Sequence, residues 1–421
     1  MRDSGTGERV REGSDHRHSV LRVVFVLRTD GFPDGMASTN RVRLLAAALA
    51  EAGADVGILC TQANEPQGSP RNQDVVGRLG AVTFEYTTGR TTRARGFLSR
   101  RLVDLRGFVV LMQRLRAFSR LPGPLVCYSW ITPSWNPTYS TATLVALHLL
   151  RVPCVMELNE PAWSFRPGNG RGRRAFSSLR GMAGVVAIST GLEEWALRDM
   201  RLRGRTIPLM RIPAVSSREL AVESDAGRAG HRRVVLACAP GHRGRILFLI
   251  NAMERVWAAT DCQLVLAGFD EVDPRAAWLR SEPAYIRNRN KIVLAGHLDA
   301  ATLRELYATA SVLAAPLDDN ERSALAFPTK VAEYLMTGRP VITSEIGDSG
   351  RLLRESGGAY LAPAGDVDAF ADLLREVLLD PRGADEVGRA GRAVALRELD
   401  ATCYGEALAE FMAEVVHSYH E

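Results

Sequence analysis

A lysine and a glutamate three residues apart, Lys330 and Glu333, sit in the stretch FPTKVAEYLMTGRPVITS at 327–344. The pattern predicts one short helix running into one buried strand. Pro328 suits the first helical position, where its missing N–H would be unpaired anyway. Gly338 and Pro340 end the helix, and Val341 and Ile342 enter an apolar strand. Lys330 adds an ammonium to the first turn, where free N–H groups and the macrodipole already make a positive end. An anion there makes that placement favourable, so the turn reads as a phosphate site. Glu333, one turn further on, can accept hydrogen bonds from a pair of hydroxyls such as a ribose diol. The alternative is a surface Lys330–Glu333 ion pair worth about a few tenths of a kcal/mol. Residue usage favours the first reading. Of 53 basic residues only Lys291 and Lys330 are lysines, so a compact charge has been kept at 330 where Arg serves almost everywhere else.

The elements that must position these residues follow an α/β grammar in both halves of the chain. Residues 20–27 read as a strand, 28–39 as a Gly/Pro loop, 40–53 as a helix and 55–59 as a strand, which is a βαβ unit. Ligands bind at the carboxyl ends of such strands, so the loop around Gly35 and Met36 is a candidate contact. It carries no GxGxxG, and the alternative is a plain surface turn. Further strands are expected at 125–128, 153–160 and 185–189, with helices at 138–150 and from 190. Asn159 and Glu160 end the strand at 153–160, near Trp163, and either face the ligand cleft or cap the following turn. Residues 216–231 are polar and aperiodic and read as a linker between domains.

In the second half, strand 234–238 leads into APGHRGR (239–245), where His242, Arg243 and Arg245 bring donors to a helix start. Strand 263–267 leads into Gly268, strand 292–294 into Gly296, His297 and Leu298, and strand 312–316 into the polar loop DDNERSALA (318–326). Four strand ends, each with a Gly or polar loop, therefore meet at one sheet edge. Asp366 and Asp368 have the look of a metal-binding pair but precede an apolar-periodic helix, so capping is expected instead. Residues 398–420 read as a final amphipathic helix.

Composition bounds the rest. The 421 residues are enough for two domains with full cores. A net charge of +5 favours anionic partners. The six cysteines are scattered, without metal spacing, and read as reduced core residues of a cytoplasmic protein. No run has the length of a membrane span, and residues 1–19 read as a disordered arm. Residues 89–121 carry nine Arg against the single acid Asp104, interleaved with apolar residues. This segment, 90–120 at its core, predicts a basic amphipathic helix that either touches an anionic membrane or forms a solvated face. It lacks stacking aromatics, so nucleic acid is not an expected partner.

The whole pattern resembles the GT-B glycosyltransferases, with two Rossmann-like domains, an interdomain cleft and a closing C-terminal helix. The second half is similar to family 4 of the retaining enzymes. The matching runs are QLVLAG (263–268), KIVLAGHLDAATLRELYATASVLAAPL (291–317), FPTKVAEYLMTGRPVITSEIG (327–347) and GGAYLAPAGDVDAFADLLREVLLDP (357–381). In the first half, SSLRGMAGVVAISTGLEEW (177–195) matches more loosely. The resemblance implies an acceptor domain at 20–215, the linker at 216–231, a donor domain at 232–395 and a helix at 396–421 returning to the first domain. It implies a nucleoside diphosphate sugar as donor and a glycan, glycolipid or small molecule as acceptor.

Carried over by position, Glu333 matches the ribose-binding Glu. Thr329, Lys330 and Val331 match the turn whose amides meet the diphosphate. Gly296, His297 and Leu298 match the loop along the base, with Gly268 a further binding candidate, Gly35 and Met36 face the phosphates, and Arg243 or Arg245 matches the diphosphate-binding Arg. Asn320 and Glu321, with Asp318, are expected near the transferred sugar. Arg243, Arg245 and Lys330 would then stabilise the leaving diphosphate, with no metal and no other cofactor expected. The chain departs from the family in having Leu325 where a Glu is usual. It also lacks a Lys after Arg245 and a first-domain His–Asp pair. Those departures open a second reading, a GT-B protein that binds a nucleotide without turning it over. The abundance of Arg points to a bacterial source, and the expected location is the cytoplasm, either free or, through 90–120, at the inner face of the plasma membrane.

Overall fold

The computed structural model describes residues 20–28, 31–129, 137–160, 179, 181–202, 204–221 and 232–421. The arm expected at 1–19, Trp163 and linker residues 222–231 lie outside the described residues. Two parallel sheets organise what is described. The first is built from β1 (Arg22–Leu27), β2 (Asp55–Cys60), β3 (Val76–Leu79), β4 (Val82–Tyr86), β5 (Leu125–Ser129), β6 (Cys154–Leu158), β7 (Gly184–Ala187) and β8 (Leu209–Arg211), in the order β3-β4-β2-β1-β5-β6-β7-β8. Only β3 runs antiparallel, as the outer strand of a hairpin with β4. The second has β9 (Arg233–Ala237), β10 (Gln263–Ala267), β11 (Ile292–Leu294), β12 (Val312–Ala315), β13 (Val341–Glu345) and β14 (Tyr360–Pro363), in the order β11-β10-β9-β12-β13-β14.

The strands form where apolar runs of four to six residues can be buried on both faces, as parallel sheets require. In each sheet the order reverses beside the first strand, between β1 and β5 and between β9 and β12. Loops leaving those strands diverge and leave a crevice, the usual ligand position in a doubly wound sheet.

Three local expectations change. Pro328 is the N-cap rather than the first helical residue, and the helix spans Thr329–Met336. The polar loop after β12 contains a short helix, Glu321–Leu325, because Asn320 accepts from the Ser323 N–H and nucleates it. The terminal helix is not continuous over 398–420. A helix ends at Glu398, a 3₁₀ turn spans Ala401–Tyr404 and a last helix runs Gly405–His420. Asp366 does cap, accepting from Ala369 N–H, and Asp368 pairs with Arg255.

The last helix buries Leu408, Phe411, Met412 and Val415 in the same core as β1, β2 and the helix Ala37–Glu51. The chain thus crosses between domains twice, and the crossings lie side by side. Ser216 N–H donates to Leu399 O at 2.7 Å, Ala401 N–H donates to Ser216 O at 3.1 Å, and Arg218 holds Asp400 at 2.7 Å. No helix among the described residues is long and apolar enough to cross a membrane.

Inside the first domain a charged pair is fully buried. Arg41 donates to Glu157 Oε1 at 2.8 Å, to Ile212 O at 2.9 Å and to Pro213 O at 2.5 Å, while the Tyr128 hydroxyl donates to the other Glu157 oxygen. Burial pushes the Glu157 carboxyl above its ordinary range, and Arg41 and Tyr128 oppose the rise. Glu157→Gln leaves a buried guanidinium without its counter-charge. The expected loss is about 3–5 kcal/mol of stability, read as a lower urea midpoint with native-like spectra below it. An unchanged midpoint would show that the pair is structurally idle.

Candidate functional site

The helix Thr329–Met336 starts at the crevice beside β9 and β12. Its position is set from below by Tyr334, whose hydroxyl accepts from the Ala237 N–H at the end of β9 at 2.8 Å. Tyr334 packs edge-on against Tyr307, with ring centroids 5.1 Å apart. Tyr307 in turn presents its hydroxyl to Lys330 Nζ at 3.4 Å. The same ammonium lies 2.6 Å from Glu333 Oε2, with the Glu333 side chain 9% exposed and that of Lys330 34% exposed. The pair therefore exists, but half-buried in the crevice rather than out on the surface. Burial alone would lower the Lys330 pKa, and the Glu333 carboxylate together with Tyr334 and Cys238 more than reverses that, so the ammonium stays charged.

Arg245 joins this group from the first turn of the helix Arg243–Trp257, which follows β9. Burial pushes the Cys238 thiol up to about 12, while the charges of Arg245 and Lys330 act on it in the opposite sense, so both cations flank the end of β9. Arg245 is also 3.3 Å from Asp318, on the loop after β12. His242 completes the cluster. Burial lowers its pKa, Arg245 and Arg322 lower it further, and Asp318 pulls the other way. The imidazole accordingly favours the neutral form in the ligand-free crevice. Arg243 points elsewhere, with its guanidinium 4.6 Å from the Trp278 ring centre and 3.4 Å from Glu282.

The loops after β10 and β11 are locked together. Gly268 N–H donates to Gly296 O at 2.7 Å, and Gly296 N–H donates to Phe269 O at 3.0 Å. Gly268 has φ +118°, and a Cβ there would stand 2.4 Å from the Cys238 carbonyl oxygen, so only glycine allows this close approach. His297 follows, its pKa lowered by burial and by the charges of Arg71 and Arg275. Arg71 belongs to the first domain, so His297 lies within reach of its field across the cleft. Leu298 packs on the apolar cluster beneath. Thr329 and Val331 flank Lys330 in the first turn, Val331 fully buried.

The first domain meets these loops with the carboxyl ends of β6 and β7. Glu160 takes both its hydrogen bonds from Arg322, at 2.8 and 2.9 Å. Ser189 donates to Leu325 O at 2.5 Å, and Thr190 N–H donates to Asp348 at 2.6 Å. Leu325 itself wedges against Gly191, where a Cβ would lie 2.4 Å from Leu325 Cδ2. Asn159 stands beside Glu160, Asn320 is occupied as a helix cap, and Glu321 lies in that helix's first turn. Gly35 and exposed Met36 end the loop after β1. That loop is clamped by Asn72, which bonds both backbone groups of Asp34 at 2.7 and 2.8 Å and touches Glu65 at 2.6 Å.

Lys330, Glu333 and Arg245 are thus brought together, with Glu160 and Asn320 on neighbouring loops. Sequence reasoning missed Tyr307 and Arg322. Tyr307 lies within a helix with nothing local to mark it, while Arg322 was in view in the polar loop but its partner lies 162 residues away. Among the described residues no cluster of three or more His, Cys, Asp or Glu is placed to hold a metal ion.

Residues 232–380 match the family model described as glycosyl transferases group 1. No curated protein sequence matches the chain. Solved structures do. A sucrose-phosphate synthase from Thermosynechococcus elongatus superposes with a TM-score of 0.68 at 18% identity, covering 94% of this chain and 99% of that one. HepE from Anabaena in complex with UDP-glucose gives 0.67 at 14% identity, with 93% and 99% covered. An α,α-trehalose 6-phosphate synthase from Burkholderia multivorans gives 0.65 at 16% identity, with 95% and 98% covered. The chain therefore has the GT-B fold, and its second domain carries the sequence pattern of the glycosyl transferases group 1 family.

Proposed function

We propose that the protein transfers a glycosyl group from a nucleoside diphosphate sugar to an acceptor hydroxyl, with retention of anomeric configuration as in family 4. The observation that carries the reading is the convergence of Lys330, Arg245 and a helix N-terminus on the crevice beside β9, with the Glu333 carboxylate alongside. Group transfer from such a donor needs the charge on the leaving diphosphate to be stabilised as it develops. Lys330 and the free N–H groups of its turn supply that, with Arg245 also at the end of β9, and the reading assigns no step to a metal. Glu333, released from Lys330 as the diphosphate takes over the ammonium, accepts the ribose hydroxyls. The loops at Gly268 and His297–Leu298 border the base, while Glu160 and Asn320 face the sugar. Structural relatives crystallised with UDP and UDP-glucose support a donor of this class.

A second reading, nucleotide binding without turnover, has one specific observation in its favour. Leu325, where family 4 usually has a Glu, is spent on packing against Gly191.

Release of nucleoside diphosphate from a panel of UDP-, GDP- and dTDP-sugars separates the two. Lys330→Ala is expected to lower kcat by about 10²–10³, and Lys330→Arg not to restore it, because a planar fork does not replace a point charge. Thermal shift with nucleotide but no turnover on any donor would favour the second reading, and no shift with any nucleotide would sink both.

His242 gives a pH signature. Its lowered pKa means that its share of stability is present above about pH 6.5 and fades as pH falls through the lowered value. A bound diphosphate offsets Arg245 and Arg322 and raises that pKa, so binding draws in a proton. Calorimetry of nucleoside diphosphate binding in two buffers of different ionisation heat should show more proton uptake for the wild type than for His242→Gln. Equal uptake would remove His242 from the phosphate side of the crevice.

A further inference from the structure

The helix Phe97–Phe118 has two apolar faces, where a helix packed on a globular domain needs one. Its inner face buries Gly107, Leu111 and Leu115 against the first sheet. Its outer face carries Leu98, Leu102, Leu105 and Val109, which are 75%, 67%, 60% and 45% exposed. Spacings of four, three and four residues hold these side chains within about 60° of one another around the helix. A continuous apolar stripe kept in water marks a surface that something covers.

Charge says what covers it. Beside the amino end of the stripe is a cavity of about 190 Å³ lined by Arg93, Arg100, Arg101 and Phe97. The Arg101 guanidinium sits 5.1 Å from the Phe97 ring centre, and Phe97 is 65% exposed. Asp104, the single acid of the helix, also lines the cavity but stands 3.9 Å from Arg28. Apolar side chains flanked by guanidinium groups fit the boundary of an anionic bilayer, with the apolar groups at the acyl chains and the cations at the phosphates. A second copy of the chain fits poorly, because it would set one arginine-rich face against another.

We propose that this face docks on an anionic phospholipid surface. Leu98, Leu102, Leu105 and Val109 enter the interface, and Arg93, Arg100 and Arg101 take the lipid phosphates. The helix connects β4 to β5, so its amino end lies at the carboxyl edge of the sheet, the edge that faces the interdomain crevice. Docking by that turn would bring the crevice to the membrane. The proposal rests on this surface alone and stands whether or not the chain transfers sugar.

Co-sedimentation of the full chain with vesicles tests it. Binding is expected to vesicles of equal phosphatidylglycerol and phosphatidylcholine, to weaken with salt, and to be lost on pure phosphatidylcholine. Leu102→Glu with Leu105→Glu should lower partitioning by at least about tenfold. Both positions are exposed, so the melting temperature and any nucleotide-induced shift should be unchanged. Lack of binding to the anionic vesicles would overturn the proposal. So would equal binding by the double variant, which would move the contact to another segment. A wild type that self-associates in solution while the variant stays monomeric would make the occupant a second copy and overturn it equally.

Discussion

The buried Arg41 guanidinium ties together parts of the chain that have no other reason to meet. Its donors reach Glu157 on β6 and the carbonyls of Ile212 and Pro213, where the chain leaves the first sheet for the second domain. Arg41 itself lies one turn into the helix that begins after Met36. One planar fork therefore sets the angle of that helix, the end of the strand leading to Asn159 and Glu160, and the direction of the interdomain crossing. A guanidinium suits this better than an ammonium, because its fixed donors meet three acceptors in different directions at once. The carboxylate cannot be removed alone, since desolvating the guanidinium is tolerable only beside its counter-charge.

The Lys330–Glu333 pair works on the opposite principle. It sits largely buried at a crevice, and on the proposed reading its two members would each be drawn to a different part of one ligand. With no ligand the charges satisfy one another at 2.6 Å, so the Glu333 carboxylate offsets the unfavourable placement of the Lys330 ammonium in a helix N-terminal turn. On the proposed reading, a diphosphate would compete for the ammonium and free the carboxylate to accept hydroxyls. The bland reading and the functional reading of these residues are in this sense one arrangement, seen without and with its ligand.

Much of this was legible in the sequence, and for a physical reason. β10 and β11 have the bounds expected of them, and β2, β9, β12 and β13 lie within a residue or two, because a parallel strand buried on both faces leaves an uninterrupted apolar run. What was not legible depended on partners distant in sequence or on chains of weak local signals. The β3–β4 hairpin is short and its outer strand exposed, so it lacks a hydrophobic signature. The break between Glu398 and Gly405 lies within an apolar-periodic run, and it follows from the pairing of Ser216 with Leu399 and Ala401. Between Arg243 and Arg245, spacing could not choose, and only Trp278 and Asp318 separate their directions.

Leu325 shows how a departure from a family pattern can be structural. A carboxylate at 325 would face Gly191 at the domain seam, where the leucine now fills the space a Cβ would take. The backbone at 325 is held as firmly as the side chain, through the hydrogen bond from Ser189. With that position committed to packing, the first domain still presents a carboxylate at the end of β6, Glu160, and it is held by Arg322 rather than buried. Its two hydrogen bonds to a side chain on a short, Asn320-capped helix make it exchangeable, since an exposed ion pair contributes little to stability. The structure thus keeps a carboxylate beside the crevice while giving the seam between the domains an apolar contact.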